Sequence, residues 1–266
     1  MSDRQIREQF TVIEKWCGSK EHGIYGQLFL PAVLQKGEKV PLVLFCHELY
    51  RTHTSGISYA QELASMGIAA YTFDFRGASK ESQSPGSMLK MSVMTCKDDL
   101  MEVYEEALRW PFTDPERIAV IGASQGAFAA AVAASENPEA FRCLVLMYGA
   151  YVIMDDVKNL YPKRELVPDP FDYNGWSLQG ACYLTDLWDF DPVVLGSYKG
   201  PVLLLHGDED PLVDPHYSEE IAGYYENSEF FIIRGGRHGF KKSAFTEAMR
   251  LITLFFLKYG MKNEKI

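Results

Sequence analysis

Six short apolar runs, each bounded by turn-forming residues, constrain the fold of this chain more than any other feature. They show no alternation of apolar and polar positions, and they occupy residues 41–46, 68–73, 118–121, 143–147, 202–205 and 230–233. Strands with this pattern are covered on both faces, as in parallel sheets flanked by helices. The runs therefore predict a buried central sheet.

Segments with a helical spacing of apolar residues lie between these runs. After Leu100, apolar side chains recur every three or four residues until Pro111 stops the pattern. Further helices are predicted near 59–66, 125–136, 215–226 and 244–258. The alternation predicts an α/β fold with a mostly parallel sheet, right-handed crossovers and helices on both faces. At 266 residues, a single domain covering 1–266 is favoured.

Two regions break this rhythm. Residues 10–16 and 23–30 alternate on either side of Gly18 and His22, which predicts an antiparallel hairpin at the sheet edge. Residues 151–199 hold no clean strand but are rich in aromatic side chains. We interpret this insertion as a lid or binding surface, because such sheets bind ligands at their carboxyl edge. The alternative is a locally folded excursion whose aromatic residues only attach it to the body.

Ser124 lies between two glycines in the run Gly122-Ala-Ser124-Gln-Gly126, after an apolar strand and before an Ala-rich helix. A nucleophilic serine stands on a strained strand-to-helix turn, which requires small residues two positions away on each side. A glycine turn with an incidental serine is the alternative. The flanking strand and helix favour a nucleophile.

A nucleophilic serine needs a base. Three histidines follow Ser124 in the sequence. His238 lies in a glycine-rich loop after the last strand, which can carry an imidazole back over the sheet edge. His206 ends a strand, where a structural role is favoured, and His216 begins a surface helix. We therefore choose His238.

The acid that orients the base belongs between the serine and the histidine, after the penultimate strand. The loop His206-Gly-Asp-Glu-Asp210 offers Asp210 as its last carboxylate, with Asp214 just beyond as the alternative. We choose Asp210. The order Ser124, Asp210, His238 belongs to one fold class, so the three assignments support one another.

The chain resembles the α/β-hydrolase superfamily of serine hydrolases throughout. The matching segments are Gly122-x-Ser124-x-Gly126, Asp74-Phe-Arg76-Gly77, His206-Gly-x-x-Asp210 and Arg237-His238-Gly239-Phe240. In layout it resembles compact cinnamoyl and feruloyl esterases, which share an N-terminal hairpin and an insertion after the sixth strand. This resemblance implies a serine carboxylesterase that hydrolyses small aromatic or acyl esters, including hydroxycinnamate esters, through an acyl-enzyme.

The same resemblance implies substrate contacts from the insertion, which supplies a polar contact to the phenolic hydroxyl of the substrate in that family. The candidates are Asp155, Tyr173 and Trp176, and Asp156 is an alternative to Asp155. His47 is a further candidate, although a buried turn residue bonding the backbone is its favoured interpretation.

Acyl transfer also needs two backbone N–H donors aimed at the developing oxyanion. Gln125, which follows the serine, supplies one. By position, the second comes from Glu48 or Leu49 in the loop after the first central strand, and we choose Glu48. Relatives carry glycine where this chain has Glu48, and this carboxylate is its one departure from the pattern.

The acidic balance, with 26 Lys and Arg against 36 Asp and Glu, argues against nucleic acid and anionic membranes as partners. Residues 206–216 match no closed zinc pattern and no glycine-rich nucleotide loop occurs, so we expect no metal and no cofactor. Five cysteines without a Cys-x-x-Cys pair, and an N-terminus without a secretory signal, predict a cytoplasmic protein. The expected partner is a small-molecule ester substrate, and a homodimer is left open.

Three alternatives stay open at this point. A monoacylglycerol lipase-like hydrolase and a serine aminopeptidase-like hydrolase would use the same three residues. A non-catalytic binding protein with a hydrolase fold is the third, and Glu48 is the feature that favours it.

Overall fold

The computed structural model describes residues 10–32, 34, 35, 37–173, 175 and 177–261. The strands in this part of the chain are β1 Phe10–Cys17, β2 Ile24–Pro31, β3 Val40–Cys46, β4 Ala69–Phe73, β5 Thr113–Ala123, β6 Cys143–Met147, β7 Phe171–Tyr173, β8 Ser177–Gln179, β9 Val202–Gly207 and β10 Ser228–Ile233. The α-helices are α1 Ile57–Ser65, α2 Val93–Ala107, α3 Gln125–Glu136, α4 Ile153–Leu160, α5 Cys182–Thr185, α6 His216–Ala222 and α7 Ser243–Lys258.

Eight of these strands form one sheet in the order β1-β2-β4-β3-β5-β6-β9-β10. From β4 to β10 every neighbouring pair is parallel. β1 and β2 form the antiparallel hairpin expected from the N-terminal alternation, and it lies at the sheet edge beside β4. The mostly parallel α/β architecture is therefore confirmed.

Helices cover both faces of this sheet, as the unbroken apolar runs require. Val103 of α2 and Phe128 of α3 are buried on one face. Leu63 of α1 and Phe256 of α7 are buried on the other. Because the strands from β4 to β10 are parallel, their carboxyl ends lie at one edge of the sheet, and the loops that carry polar residues project from this edge.

The element boundaries differ from expectation where polar residues occur inside an element. β5 begins at Thr113, well before the apolar run at 118, because Thr113 still pairs with Val40. α2 begins at Val93, where Ser92 and Thr95 form a capping box: each side chain accepts a hydrogen bond from the other residue's backbone N–H. This helix ends at Ala107, before Pro111.

The insertion at 151–199 contains more regular structure than the sequence indicated. β7 and β8 pair as a small antiparallel hairpin, with Phe171 opposite Gln179. Strands of three residues are too short to be recognised from an apolar pattern, so the sequence missed them. α4 and α5 flank this hairpin along the chain. The division into one domain with a lid stays a prediction.

In the described part of the chain, each helix is too short or too polar to cross a lipid bilayer.

Candidate active site

Ser124 occupies a sharp turn between β5 and α3, with φ 52° and ψ −118°. A residue with a Cβ rarely adopts this conformation, and the surrounding contacts hold it in place. A Cβ at Gly126 would lie 2.3 Å from the carbonyl oxygen of Cys46, and one at Gly122 would lie 2.5 Å from the Cα of Ala127. Gly122 is therefore required for the close approach of β5 to α3, and Gly126 for the close approach of α3 to the end of β3.

His238 lies in the loop between β10 and α7, and it bridges the serine and a carboxylate. Its Nε2 is 2.8 Å from the Oγ of Ser124, and its Nδ1 is 2.8 Å from the Oδ2 of Asp210. The His238 side chain is 14% exposed and that of Asp210 is fully buried. The structure thus places the three residues in one hydrogen-bonded chain from a partly accessible hydroxyl to a buried carboxylate.

Four donors converge on Asp210 and hold it ionised. Its Oδ2 accepts from His238 and from Nε2 of His206 at 3.1 Å, and its Oδ1 accepts from the backbone N–H groups of Leu212 and Val213 at 2.9 and 3.1 Å. Burial alone raises the pKa of Asp210, but the hydrogen bonds from His206 and His238 outweigh it and hold that pKa well below its ordinary value.

The competing carboxylates lie elsewhere. Asp214 is 67% exposed and pairs with His216 on the surface. Asp208 accepts a hydrogen bond from the backbone N–H of Gly235 at the turn after β10. Neither carboxylate reaches His238.

His206 has a closer relation to the site than its sequence position indicated. It is fully buried, and its Nδ1 is 2.7 Å from the hydroxyl of Ser218. With Ser218 donating to Nδ1, the Nε2 of a neutral His206 carries the proton and donates to Asp210. The spacing of four residues between His206 and Asp210 was the available signal in the sequence, where it served only to define the loop.

The loop after β3 carries the other candidates for the site. His47 is buried, its Nδ1 is 2.7 Å from the carbonyl oxygen of Glu48, and its Nε2 accepts from the backbone N–H of Phe75 at 3.1 Å. Burial lowers the pKa of His47, which suits an imidazole that accepts at one nitrogen and donates at the other. His47 therefore fixes the loop through backbone contacts, as its favoured interpretation predicted.

The side chains of Gln125 and Glu48 are both committed to neighbouring groups. The Oε1 of Gln125 accepts from the hydroxyl of Tyr183 at 3.0 Å. The Oε1 of Glu48 accepts from the hydroxyl of Tyr148 at 3.1 Å. The ring of Tyr148 also packs edge-on against His238, with 5.0 Å between centroids. Tyr148 directly follows β6 and was not among the residues predicted from the sequence.

Two cavities open on Ser124 and His238. The larger one measures about 680 Å³, and its walls include Glu48, Tyr59 and Tyr148. The smaller one measures about 330 Å³ and is lined mainly by apolar side chains from the insertion and from the loop after β9. Leu49 and Leu212 border both cavities. Ser124 and His238 are thus accessible from two separate spaces.

The insertion contributes a hydrogen-bonded carboxyl and phenol pair to the smaller cavity. Both Asp156 and Tyr173 line it, and the Tyr173 hydroxyl donates to Oδ2 of Asp156 at 2.5 Å. Burial raises the pKa of Asp156 above its ordinary value. Asp155, the candidate chosen from the sequence, is instead exposed and accepts from the Tyr217 hydroxyl at 2.6 Å. Trp176 lies outside the described residues.

Among the described residues, no group of three or more His, Cys, Asp or Glu side chains could hold a metal ion.

Comparison with known proteins places this chain in a family. The model of the prolyl oligopeptidase family matches residues 54–262. The chain belongs to that family. Human dipeptidyl peptidase 8 is 28% identical over 224 residues, which are 80% of this chain and 23% of that protein. Dipeptidyl aminopeptidase BIII from Pseudoxanthomonas mexicana is 26% identical over 237 residues, which are 82% of this chain and 33% of that protein.

This member of the family spans only about a quarter to a third of the length of these two relatives. By contrast, one solved structure is similar to this chain over its own whole length: Est1E from Butyrivibrio proteoclasticus with ferulic acid bound. The TM-score is 0.83 at 20% identity, covering 93% of this chain and 100% of that chain. Such likeness, together with the sheet order above, shows the α/β-hydrolase fold that the motifs indicated.

Proposed function

We propose that this protein is a serine hydrolase that cleaves carboxylic esters through an acyl-enzyme. The observation that carries the proposal is the hydrogen-bonded chain from Ser124 through His238 to Asp210, built on the strained turn after β5. His238 accepts the proton of Ser124 as the hydroxyl attacks the ester carbonyl, and Asp210 stabilises the resulting imidazolium. His238 then protonates the leaving alcohol and activates water for deacylation.

Gln125 supplies one backbone N–H of the proposed oxyanion hole, and we assign the second to Leu49 in place of Glu48. The carbonyl of Glu48 is bound by Nδ1 of His47 and by the N–H of Arg51 at 3.2 Å. In a trans peptide the next N–H points the opposite way, so the N–H of Leu49 faces away from His47. Leu49 borders both cavities, and neither its N–H nor that of Gln125 has a partner among the described residues.

The smaller cavity favours a flat, mostly apolar acyl group with one polar substituent. The pair formed by Asp156 and Tyr173 lies among the apolar side chains, where it could bind a phenolic hydroxyl. The structural relative Est1E was solved with ferulic acid bound, which supports the same acyl class. We therefore propose hydroxycinnamate esters as substrates, with the insertion at 151–199 acting as the lid.

A fluorophosphonate probe tests the nucleophile. We expect the native protein to be labelled and to turn over 4-nitrophenyl acetate, and Ser124→Ala to lose both properties. Ser135→Ala, in the last turn of the same α3 helix, is the matched control and should keep both. If the native protein is not labelled, the hydrolase proposal fails and the non-catalytic alternative is preferred.

A pair of esters tests the acyl group. Tyr173→Phe and Asp156→Asn should each lower kcat/KM for methyl ferulate by roughly ten-fold, because one hydrogen bond to the phenolic hydroxyl is lost. Methyl cinnamate, which has no phenolic hydroxyl, should be affected far less. Asp155→Asn is the control and should change neither ester. Equal losses on both esters would contradict the assignment, and a preference for long-chain acylglycerols would favour the lipase-like alternative.

Peptide hydrolysis is a second candidate, because the family and both relatives carry peptidase names. The same three residues can cleave amides by the same steps. Dipeptidyl 4-nitroanilides compared with the corresponding 4-nitrophenyl esters measure the preference. A kcat/KM on the anilides that matches or exceeds the one on the esters would favour the peptidase.

A further inference from the structure

Glu48 places a carboxylate in the wall of the larger cavity, beside the catalytic serine. The residue is partly exposed there, and Ser124 and His238 line the same space. Within the described part of the chain, no Lys, Arg or His side chain forms an ion pair with Glu48. One carboxylate oxygen receives the Tyr148 hydroxyl, and the other is buried without a hydrogen-bond partner among those residues.

Aromatic side chains share the wall of this cavity with the carboxylate, and Tyr148 is hydrogen-bonded to it. Tyr59, Tyr148 and Phe240 are buried and line the same cavity, and Tyr50 borders it as well. The Tyr59 hydroxyl is also buried without a partner among the described residues. A cavity that combines a carboxylate with aromatic rings in its wall suits ammonium groups, which are bound by charge attraction and by cation–π contact. A neutral apolar ligand would leave the carboxylate uncompensated.

We propose that the larger cavity receives a leaving group that carries an ammonium charge, with Glu48 as the specificity-determining residue. This inference rests on the proposed esterase function, because it assigns the acyl group to the smaller cavity and the leaving group to the larger one. The smaller cavity is lined mainly by apolar side chains, whereas the larger one holds the carboxylate of Glu48, which forms no ion pair within the described residues.

The position of Glu48 gives the cation a second effect. Glu48 directly precedes Leu49, the proposed oxyanion donor, so its negative charge opposes the negative charge that develops on the substrate oxygen. A substrate cation bound to Glu48 offsets this repulsion in the transition state. We therefore expect the preference for cationic substrates to be visible in kcat as well as in KM.

Two basic side chains at the same cavity would instead favour an anionic leaving group. Arg51 and Lys241 are exposed, and no ion pair forms on either of them within the described residues. Exposed charges are screened by water and salt more strongly than a carboxylate with one oxygen buried. We therefore assign the selectivity to Glu48, and an anionic leaving group is included in the test.

Three acetyl esters with leaving groups of similar size test the proposal: those of choline, 3,3-dimethylbutanol and 4-hydroxybutanoate. They differ in charge, being cationic, neutral and anionic. We expect kcat/KM, measured from acetate release, to be roughly 10- to 100-fold higher for the choline ester than for the neutral ester, the range of one charge-assisted contact. Equal values for these two esters, or the highest value for the anionic ester, would overturn the proposal.

Two variants separate charge from structure. Glu48→Gln removes the charge but can still accept the Tyr148 hydrogen bond, so the choline-to-neutral ratio should fall close to one. Tyr148→Phe removes the hydrogen bond but keeps the carboxylate, so the ratio should persist. A ratio that falls equally in both variants would indicate a structural role and reject cation recognition.

The proposed function is tested separately from this inference. Fluorophosphonate labelling and turnover of 4-nitrophenyl acetate report on Ser124 whatever the leaving group of the natural substrate. A labelled, active enzyme without charge preference would reject only the cation site. A protein that is not labelled would reject the hydrolase itself.

Discussion

Asp210 is the residue whose surroundings define its proposed role most sharply. Four hydrogen-bond donors converge on its two oxygens, and no hydrogen-bond acceptor among the described residues shares them. An asparagine amide would have to direct its own N–H₂ group at two of these donors, whichever way it is turned. We therefore expect Asp210→Asn to lower kcat on 4-nitrophenyl acetate by on the order of 10⁴, as the loss of the orienting carboxylate does in other serine hydrolases.

Asp208→Asn is the control for this change. Asp208 lies two residues away in the same loop and contacts Gly235, not His238. Its variant should keep kcat within about two-fold of the native value, because surface substitutions have small effects. A similar loss in both variants would mean that the loop as a whole, and not the carboxylate of Asp210, supports activity.

At the scale of the element, the turn between β5 and α3 stores conformational strain at Ser124. Its φ of 52° and ψ of −118° suit glycine better than any residue with a Cβ. Ser124→Gly should therefore be more stable than Ser124→Ala by about 1 kcal/mol, although both are inactive. Urea unfolding of the two variants measures the difference.

Ser135 is the control position, where the stability difference between the glycine and alanine variants should have the opposite sign. It lies in the last turn of α3 in a helical conformation, where glycine is less favourable than alanine by up to about 1 kcal/mol. Ser135→Gly should thus be less stable than Ser135→Ala. If glycine is also the less stable residue at position 124, the turn is not strained in solution.

At the scale of the whole molecule, Asp74 connects the loop after β4 to the turn before α1. Its side chain is fully buried, and it accepts from Nδ1 and the backbone N–H of His53 and from the backbone N–H of Gln83, at 2.6 to 2.7 Å. Burial raises the pKa of Asp74, but these hydrogen bonds outweigh it, so the pKa lies below its ordinary value of 3.8.

This lowered pKa predicts how the stability of the protein depends on pH. The ionised Asp74 contributes fully at pH values above the ordinary pKa, and its contribution is lost as the pH falls below 3.8 towards the lower folded-state value. Asp74→Asn should therefore destabilise the protein at pH 7 by about 3 kcal/mol. The difference in unfolding free energy between this variant and the native protein should become smaller as the pH falls below 3.8.

Urea unfolding at pH 7 and at a pH below the ordinary pKa of Asp74 checks this prediction. Glu247→Gln is the control, because Glu247 pairs with Arg250 on an exposed helix face, where water screens the pair. It should have little effect at either pH. A gap for Asp74→Asn that stays constant with pH would contradict the assignment.

The net charge of −10 acts on the same whole-molecule scale. It supports the expectation that nucleic acids and anionic membranes are not partners, which stays a prediction, as do the absence of a cofactor and the cytoplasmic location.

The sequence by itself determined the fold class and the residues placed in the hydrogen-bonded chain of the site. Buried parallel strands need unbroken apolar runs, and the loops that follow these strands meet at one edge of the sheet. The sequence therefore predicts that Ser124, Asp210 and His238 lie close together. Each lies in a local motif whose glycines or strand end mark its position. These features are local, and local features can be read from a sequence.

Only the tertiary structure decided which of two adjacent residues faces the site. Asp155 and Asp156 differ by one position on α4, and their directions depend on the distant partners Tyr217 and Tyr173. The choice of Leu49 over Glu48 as the proposed oxyanion donor depends on one peptide plane, which is oriented by His47, itself held by the distant backbone N–H of Phe75. A rotation of one residue or one peptide is set by long-range packing, which the sequence does not display.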